Sequence, residues 1–126
     1  ICAGDLTDNG FDGKSFLCWQ YGGTEDQVTP LARYIERLQT IAPTYVAMGN
    51  HDHYVPWPYL HKGVRNFVKK RHGALLYSWE CRGILKFICL DVYPDAAALK
   101  FLKKELKSAA QKMVIIYFHY TYSSFR

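Results

Sequence analysis

The feature that most constrains the fold is the polar hexapeptide at residues 48–53 (MGNHDH), which directly follows the apolar residues 45–47 (YVA). The apolar run predicts a short buried strand. Gly49 and Asn50 then predict a sharp turn, because both residues tolerate backbone angles that other residues avoid. The end of this strand therefore presents an amide, two imidazoles and a carboxylate. These are donors that divalent metals accept, and an imidazole can also act as a general acid.

A second polar turn lies at the start of the chain. Residues 4–10 (GDLTDNG) follow the apolar residues 1–3 (ICA), which predict another strand. In layered α/β folds, ligands bind where neighbouring strands end, so the two turns predict one shared site. Taken alone, Asp5 and Asp8 are explained equally well as ordinary turn residues.

Three sequence blocks resemble the calcineurin-like metallophosphoesterase family. They are GDxxD at residues 4–8, GNHD at residues 49–52, and a lone His119 after the apolar residues 113–118. The blocks stand in the family's order and extend over nearly the whole chain. GDxxD alone would be a weak signal, but GDxxD followed by GNHD is specific. The family pattern also has an earlier DxH block and a later GHxH block, and neither is present here.

The resemblance implies an α/β fold, a partial four-layer αββα sandwich of the metallophosphoesterase type. The alternation of predicted strands and helices independently favours a layered α/β fold. We expect residues 1–126 to form a single incomplete domain that lacks the N-terminal DxH strand and the C-terminal GHxH part. Such a piece is expected to bind metal weakly and to show little activity.

The resemblance also implies a reaction, metal-dependent hydrolysis of phosphoesters by a phosphomonoesterase or phosphodiesterase. Two divalent metal ions (Mn, Zn or Fe) would be bound by Asp5, Asn50 and His119, with a metal-bridging hydroxide as the nucleophile. His51 would be the general acid, and Asp8 would orient it. A carboxylate beside an imidazole fixes the tautomer and favours the protonated form that an acid catalyst needs.

Other interpretations remain open for individual residues. Asn50 is also typical of a left-handed turn, and a lone histidine such as His119 is more often a hydrogen-bonded core residue than a ligand. Asp52 is interpreted as structural, bonding to local backbone amides. The remaining histidines are predicted to lie at the surface: His53, His61 and His72.

Two departures from the family pattern bear on the substrate. Asn9 stands where Ser/Thr protein phosphatases of this fold carry Arg, and Asp52 stands where they carry Glu. Purple acid phosphatases carry Tyr at the position of Asp8. Neither subtype is expected. The remaining substrates are small or nucleotide-like phosphoesters.

The charge is unevenly distributed. Residues 1–60 carry seven acidic and three basic residues, a net charge of −4, and residues 61–126 carry four acidic and thirteen basic residues, a net charge of +9. The acidic half holds both metal-type turns. No nucleic-acid-binding signature accompanies the lysines, so nucleic acid is not the expected partner. The alternative function is a noncatalytic scaffold of the same fold that binds partner proteins.

Local signals predict the remaining elements. Thr29 is the predicted N-cap of a helix that ends before Pro43, and a short basic helix follows at residues 64–71. Residues 75–80 and 84–90 predict a hairpin. Asp95 is predicted to cap a third helix that buries a row of leucines, and a buried strand at residues 113–118 precedes His119. The leucines of that row are Leu99, Leu102 and Leu106.

The four cysteines show no metal-binding or disulfide spacing. Cys2 and Cys89 lie in apolar strand contexts, where a free cysteine behaves as a small buried hydrophobic residue. No run approaches the roughly 20 apolar residues that a membrane span needs.

Overall fold

The structure, a computed structural model, describes residues 1–7, 26–53 and 63–120. The elements in chain order are β1 (Cys2–Ala3), α1 (Val28–Ile41), β2 (Val46–Ala47), α2 (Asn50–His53), α3 (Gly63–His72), β3 (Leu76–Cys81), β4 (Leu85–Leu90), α4 (Ala96–Lys107) and β5 (Met113–Tyr117). Within these ranges, every helix is too short or too polar to span a bilayer.

The described strands form two sheets. In the first, β1 and β2 run parallel, and in the second the order is β3-β4-β5, with β3 antiparallel and β5 parallel to β4. The predicted hairpin is confirmed, since the amide of Ile84 donates to the carbonyl of Cys81 at 3.2 Å. Arg82 and Gly83, the first two of the three residues between β3 and β4, both have positive φ.

The apolar side chains form three clusters, one at each interface between neighbouring layers, which confirms the predicted four-layer αββα arrangement. Because successive strand residues face opposite sides, Val46 packs against α1 and α3, whereas Ala47 faces the second sheet. Between the sheets, Ala47 packs with buried residues of β3, β4 and β5, namely Tyr77, Cys89 and Tyr117. The outer face of the second sheet, which includes Ile88, packs against α4.

Side chains form hydrogen bonds with the backbone groups of β2 on the edge that faces away from β1. The hydroxyl of Tyr77 donates to the carbonyl of Val46 at 2.7 Å and accepts from the hydroxyl of Tyr117 at 2.9 Å. On the same edge, the amide of Val46 donates to Nε2 of His72 at 3.3 Å. Burial raises the pKa of both phenols, that of Tyr117 to about 12. The side chains of Tyr77 and His72 therefore bond to Val46 as a neighbouring strand would, and Tyr117 bonds to Tyr77 behind them.

The prediction that His72 lies at the surface is wrong. Its ring is half-buried and stacks on that of Tyr77, with centroids 4.3 Å apart and planes 11° apart, and more loosely on Tyr45. The basic residues next to His72 in sequence did not predict these aromatic partners, which are Tyr77 of β3 and Tyr45, the residue before β2. His61 lies outside the described residues.

The predicted start of α1 is also corrected. Asp26 rather than Thr29 provides the capping oxygen, because its Oδ1 accepts from the amides of Val28 at 2.9 Å and of Thr29 at 3.0 Å. The helix therefore begins at Val28, two residues after Asp26, with Gln27 at the N-cap position. The C-terminal boundary, before Pro43, agrees with the prediction.

The cap of α4 is confirmed, but of its predicted leucine face only Leu102 packs against the sheet. Asp95 Oδ1 accepts from the amide of Ala98 at 2.7 Å. Leu99 and Leu106 are 46% and 45% exposed, because the helix turns Ala98, Phe101 and Leu102 toward the sheet instead. The strand β5 is likewise less buried than predicted, since it is the outermost strand of the described three-stranded sheet.

A buried ion pair joins α4 to the sheet. Lys86 of β4 is only 5% exposed, and its Nζ lies 2.8 Å from Glu105 Oε2 and 2.7 Å from Ser108 Oγ. The hydroxyl of Ser78 donates to the same Glu105 oxygen at 2.7 Å. The hydrogen bonds from Lys86 and Ser78 hold the pKa of Glu105 below its usual value. A charged pair thus occupies part of the helix face that sequence periodicity assigned to leucine.

The cysteines within the described ranges are free, as predicted for Cys2 and Cys89. Cys89 is fully buried between the sheets, and burial raises the pKa of its thiol to about 11. Cys18 lies outside the described residues.

We expect His72 to make stability depend on pH. Burial, and to a smaller extent the charge of Arg71, lowers the pKa of His72 from 6.5 to about 4, so protonation favours the unfolded chain. Its contribution is present above pH 6.5 and is lost as the pH falls toward 4. For this half-exposed ring we expect an effect of about 1 kcal/mol.

Urea unfolding between pH 7.5 and 4.5 measures this effect against His72→Gln, whose amide oxygen can still accept from Val46 but does not titrate. The wild type should lose more stability than the variant over this interval. If the free energies of unfolding of wild type and variant change equally with pH, the pKa of His72 is the same in the folded and unfolded chains.

Breaking the Lys86–Glu105 pair should be costly. Lys86→Met leaves Glu105 largely buried without its cation, and we expect a loss of about 3 kcal/mol in the free energy of unfolding. The matched control is Lys112→Met, which breaks the more exposed pair with Glu80 and should cost clearly less stability. Equal losses in urea unfolding would contradict the buried role.

Candidate metal centre

The site begins with a close backbone approach between the turns that follow β1 and β2. Gly4 has a φ of +96°, and a Cβ there would lie 2.7 Å from the Cα of Gly49 and 2.7 Å from Nδ1 of His119. A Cβ on Gly49 would overlap the backbone and carboxylate of Asp5. Glycine is therefore required at both positions. At Gly49 the reason is the close approach, rather than the turn geometry that the sequence suggested.

The structure brings together the three predicted metal ligands. Nε2 of His119 lies 3.1 Å from Oδ1 of Asn50 and 3.3 Å from Oδ2 of Asp5. Asp5 follows β1, Asn50 begins α2 just after β2, and His119 follows β5. The three donors thus come from the carboxyl ends of strands in both sheets. Asp5 itself adopts a left-handed backbone, with φ of +50°.

The carbonyl of Ala3 determines which ring nitrogen of His119 carries the hydrogen. It lies 2.9 Å from Nδ1, and because a carbonyl can only accept, Nδ1 carries the hydrogen. In the neutral ring, Nε2 then directs its lone pair toward the oxygens of Asn50 and Asp5. Second bonds of this kind are typical of histidines that bind metals.

The donor set fits a divalent ion. Ligands bound at 2.0–2.2 Å around one ion lie roughly 3 Å apart, which agrees with the two distances from Nε2 of His119. An imidazolium that donates from Nε2 to Asp5 would suit the same geometry. In the part of the chain that the structure describes, no three His, Cys, Asp or Glu side chains form a group, because one of the three donors here is an amide.

Asp52 has the predicted structural role, but it bonds to distant backbone amides as well as to local ones. Its carboxylate accepts from the nearby amide of Gly49, and also from the distant amides of Leu6 and Thr7. It is 1% exposed. Asp52 therefore bonds to both turns rather than only to its own.

His51 lies beside the three candidate ligands. Its backbone amide donates to Oδ1 of Asp5 at 3.1 Å, and its side chain is half-buried. Asp8 lies outside the described residues, so its pairing with His51 stays a prediction. His53 is the last residue of α2.

Sequence analysis missed one residue of this region, Asp91. It follows β4 with a φ of +64°, and its carbonyl accepts from the amide of His119 at 3.3 Å. The next carbonyl, of Val92, accepts from the amide of Tyr120 at 2.8 Å. The sequence signal that could have identified Asp91 is an aspartate at the end of an apolar strand, a pattern that Asp5 shares.

We expect Gly49→Ala to disrupt the site. The added methyl group would push Asp5 away and should cost about 1–3 kcal/mol, as overpacking does. The matched control is Gly83→Ala in the hairpin turn, where φ is +71° and nothing lies within 4 Å of the added atom. Both variants should lose stability, but only Gly49→Ala should shift the NMR signals of the His119 ring. An unshifted His119 ring would contradict the close approach.

Comparison with known proteins identifies the family of the chain. No curated protein and no solved structure gave a significant match. The family model of the calcineurin-like phosphoesterases matches residues 1–123, which includes all three candidate ligands and both glycine turns. The chain therefore belongs to the calcineurin-like phosphoesterase family.

Proposed function

We propose that this chain carries the metal-binding part of a phosphoester hydrolase, a phosphomonoesterase or phosphodiesterase that acts on a small or nucleotide-like substrate. The observation that carries the proposal is the convergence of Asp5, Asn50 and His119 on one point. Membership of the family supports the coarser statement, metal-dependent phosphoesterase activity.

Asp5, Asn50 and His119 would hold the metal. Carboxylate, amide and imidazole donors suit Mn²⁺, Zn²⁺ and Fe²⁺. Two such ions, when bound, supply an acidified water and neutralise charge on the phosphoryl oxygens. Every other task falls to the residues of the chain.

The backbone prepares the ligands. The amide of His51 bonds to Oδ1 of Asp5, which leaves Oδ2 directed toward His119. The carbonyl of Ala3 holds the proton on Nδ1 of His119, so Nε2 is available as a donor to the ion. Both bonds come from main-chain atoms next to the turns, which orients the two ligands at little cost in side-chain entropy.

The imidazole of His51 is proposed to protonate the leaving-group oxygen, with Asp8 as its orienting partner. Its neighbour Asn50 is a proposed ligand, so the histidine lies next to the place where a phosphoester would bind. Three ligands are fewer than two ions need. We therefore expect this chain to bind one ion and to turn over substrate slowly.

Metal binding is the first test. Metal-stripped chain titrated with Mn²⁺ should bind one ion, and Asp5→Asn or His119→Ala should weaken binding by at least about tenfold. Asp95→Asn is the matched control, because asparagine also caps helices and Asp95 lies at the start of α4. If the folded chain binds none of Mn²⁺, Zn²⁺ and Fe²⁺, the hydrolase proposal fails and the scaffold alternative is favoured.

Turnover tests the role of His51. His51→Ala keeps the amide that bonds to Asp5, so ion binding should persist. The loss of rate should be greater for phenyl phosphate than for p-nitrophenyl phosphate, because the poorer leaving group depends more on a proton. Equal losses would remove His51 from the acid role. Comparison with bis-p-nitrophenyl phosphate distinguishes monoester from diester preference.

A further inference from the structure

One buried carboxylate connects the two turns that carry the proposed ligands. Oδ2 of Asp52 accepts from the amides of Gly49 at 2.8 Å and Leu6 at 3.0 Å. Oδ1 accepts from the amide and the hydroxyl of Thr7, at 2.9 Å and 3.0 Å. Leu6 adjoins Asp5 in sequence, and Gly49 adjoins Asn50.

The chemistry of this position favours aspartate. An ionised carboxylate only accepts, and its two oxygens provide about four lone-pair positions, which matches four donors. Hydrogen bonds to a charged acceptor are also stronger than neutral ones. Asparagine would present an NH₂ group to two of these donors, so it could keep the bonds on one side only.

Apart from the bonds to Asp52, a hydrogen bond joins the two turns, from the amide of His51 to Oδ1 of Asp5, and the other contacts are weak determinants of their separation. The strands β1 and β2 are paired over only two residues each. Gly4 and Gly49 have no side chains with which to pack, and the left-handed backbone of Asp5 is a conformation that non-glycine residues adopt only when their surroundings hold them there. The four bonds to Asp52, together with the bond from the amide of His51 to Asp5, supply that constraint.

We propose that Asp52 is a positioning residue that sets the separation of the proposed metal ligands Asp5 and Asn50, an inference that rests on the proposed function. It contacts neither the ion nor the substrate. It acts through the amides on either side of the two ligands, and so determines whether both oxygens reach Nε2 of His119 together.

A general loss of stability is the competing explanation, and matched variants separate the two. Ile88→Val and Ile88→Ala remove buried volume on the outer face of the second sheet, away from both turns. Ile88→Val should lose less stability than Ile88→Ala, so the two variants give a range of stability losses with which Asp52→Asn can be compared. Thr7→Val removes a single one of the four bonds to Asp52.

The test compares Mn²⁺ affinity with amide hydrogen exchange in the metal-free chain. Asp52→Asn should weaken Mn²⁺ binding about 10–100-fold, as loss of an outer-shell partner typically does. Exchange at Leu6, Thr7 and Gly49 should become faster. The Ile88 variants should bind Mn²⁺ within about twofold of wild type, and Thr7→Val should show a smaller change in the direction of Asp52→Asn.

Each outcome decides the matter. If Asp52→Asn binds Mn²⁺ as well as an Ile88 variant of equal stability, Asp52 is structural only and the positioning role is refuted. If Asp52→Asn does not fold, Thr7→Val decides, and unchanged affinity with unchanged exchange at Thr7 refutes the proposal. If the unsubstituted chain binds Zn²⁺ or Fe²⁺ but not Mn²⁺, the same comparison is made with the ion that binds. If it binds none of the three, the proposed function fails first and the positioning role fails with it.

Discussion

The rest of the site depends on the close contact between the turns after β1 and β2. A side chain at Gly4 or Gly49 would overlap the opposite backbone, so the two turns approach only because both positions lack a Cβ. That approach places Asp5 where its carboxylate can receive the amide of His51. It also leaves room for the ring of His119 beside Gly4. A steric constraint of a few atoms thus precedes all the chemistry.

The wider fold delivers His119 to this contact from the other sheet. The hydroxyl of Tyr117 donates to Tyr77, which donates to the carbonyl of Val46. This buried chain of bonds runs from the strand that precedes His119 to the strand that leads to Asn50. Because both tyrosines lie between the sheets, these hydrogen bonds fix the position of one sheet relative to the other next to the site.

Sequence patterns failed where a distant partner decided the outcome. Basic neighbours suggested a surface position for His72, but stacking on Tyr77 half-buries it. Leucine spacing suggested the buried face of α4, yet the pair of Lys86 and Glu105 lies on the sheet-facing side and leaves Leu99 partly exposed. In both places the deciding contact joins residues far apart in the chain, which a local pattern does not contain.

The sequence by itself determined the local elements and the order of the blocks that carry the candidate ligands. The turn at residues 82–83 and the cap at Asp95 follow from properties of single residues, the tolerance of positive φ and a short carboxylate at a helix start. Only the tertiary structure decided that Asp5, Asn50 and His119 meet. Their separation depends on the stacking of two sheets and on the bonds to Asp52, and therefore on contacts between segments that are remote in sequence.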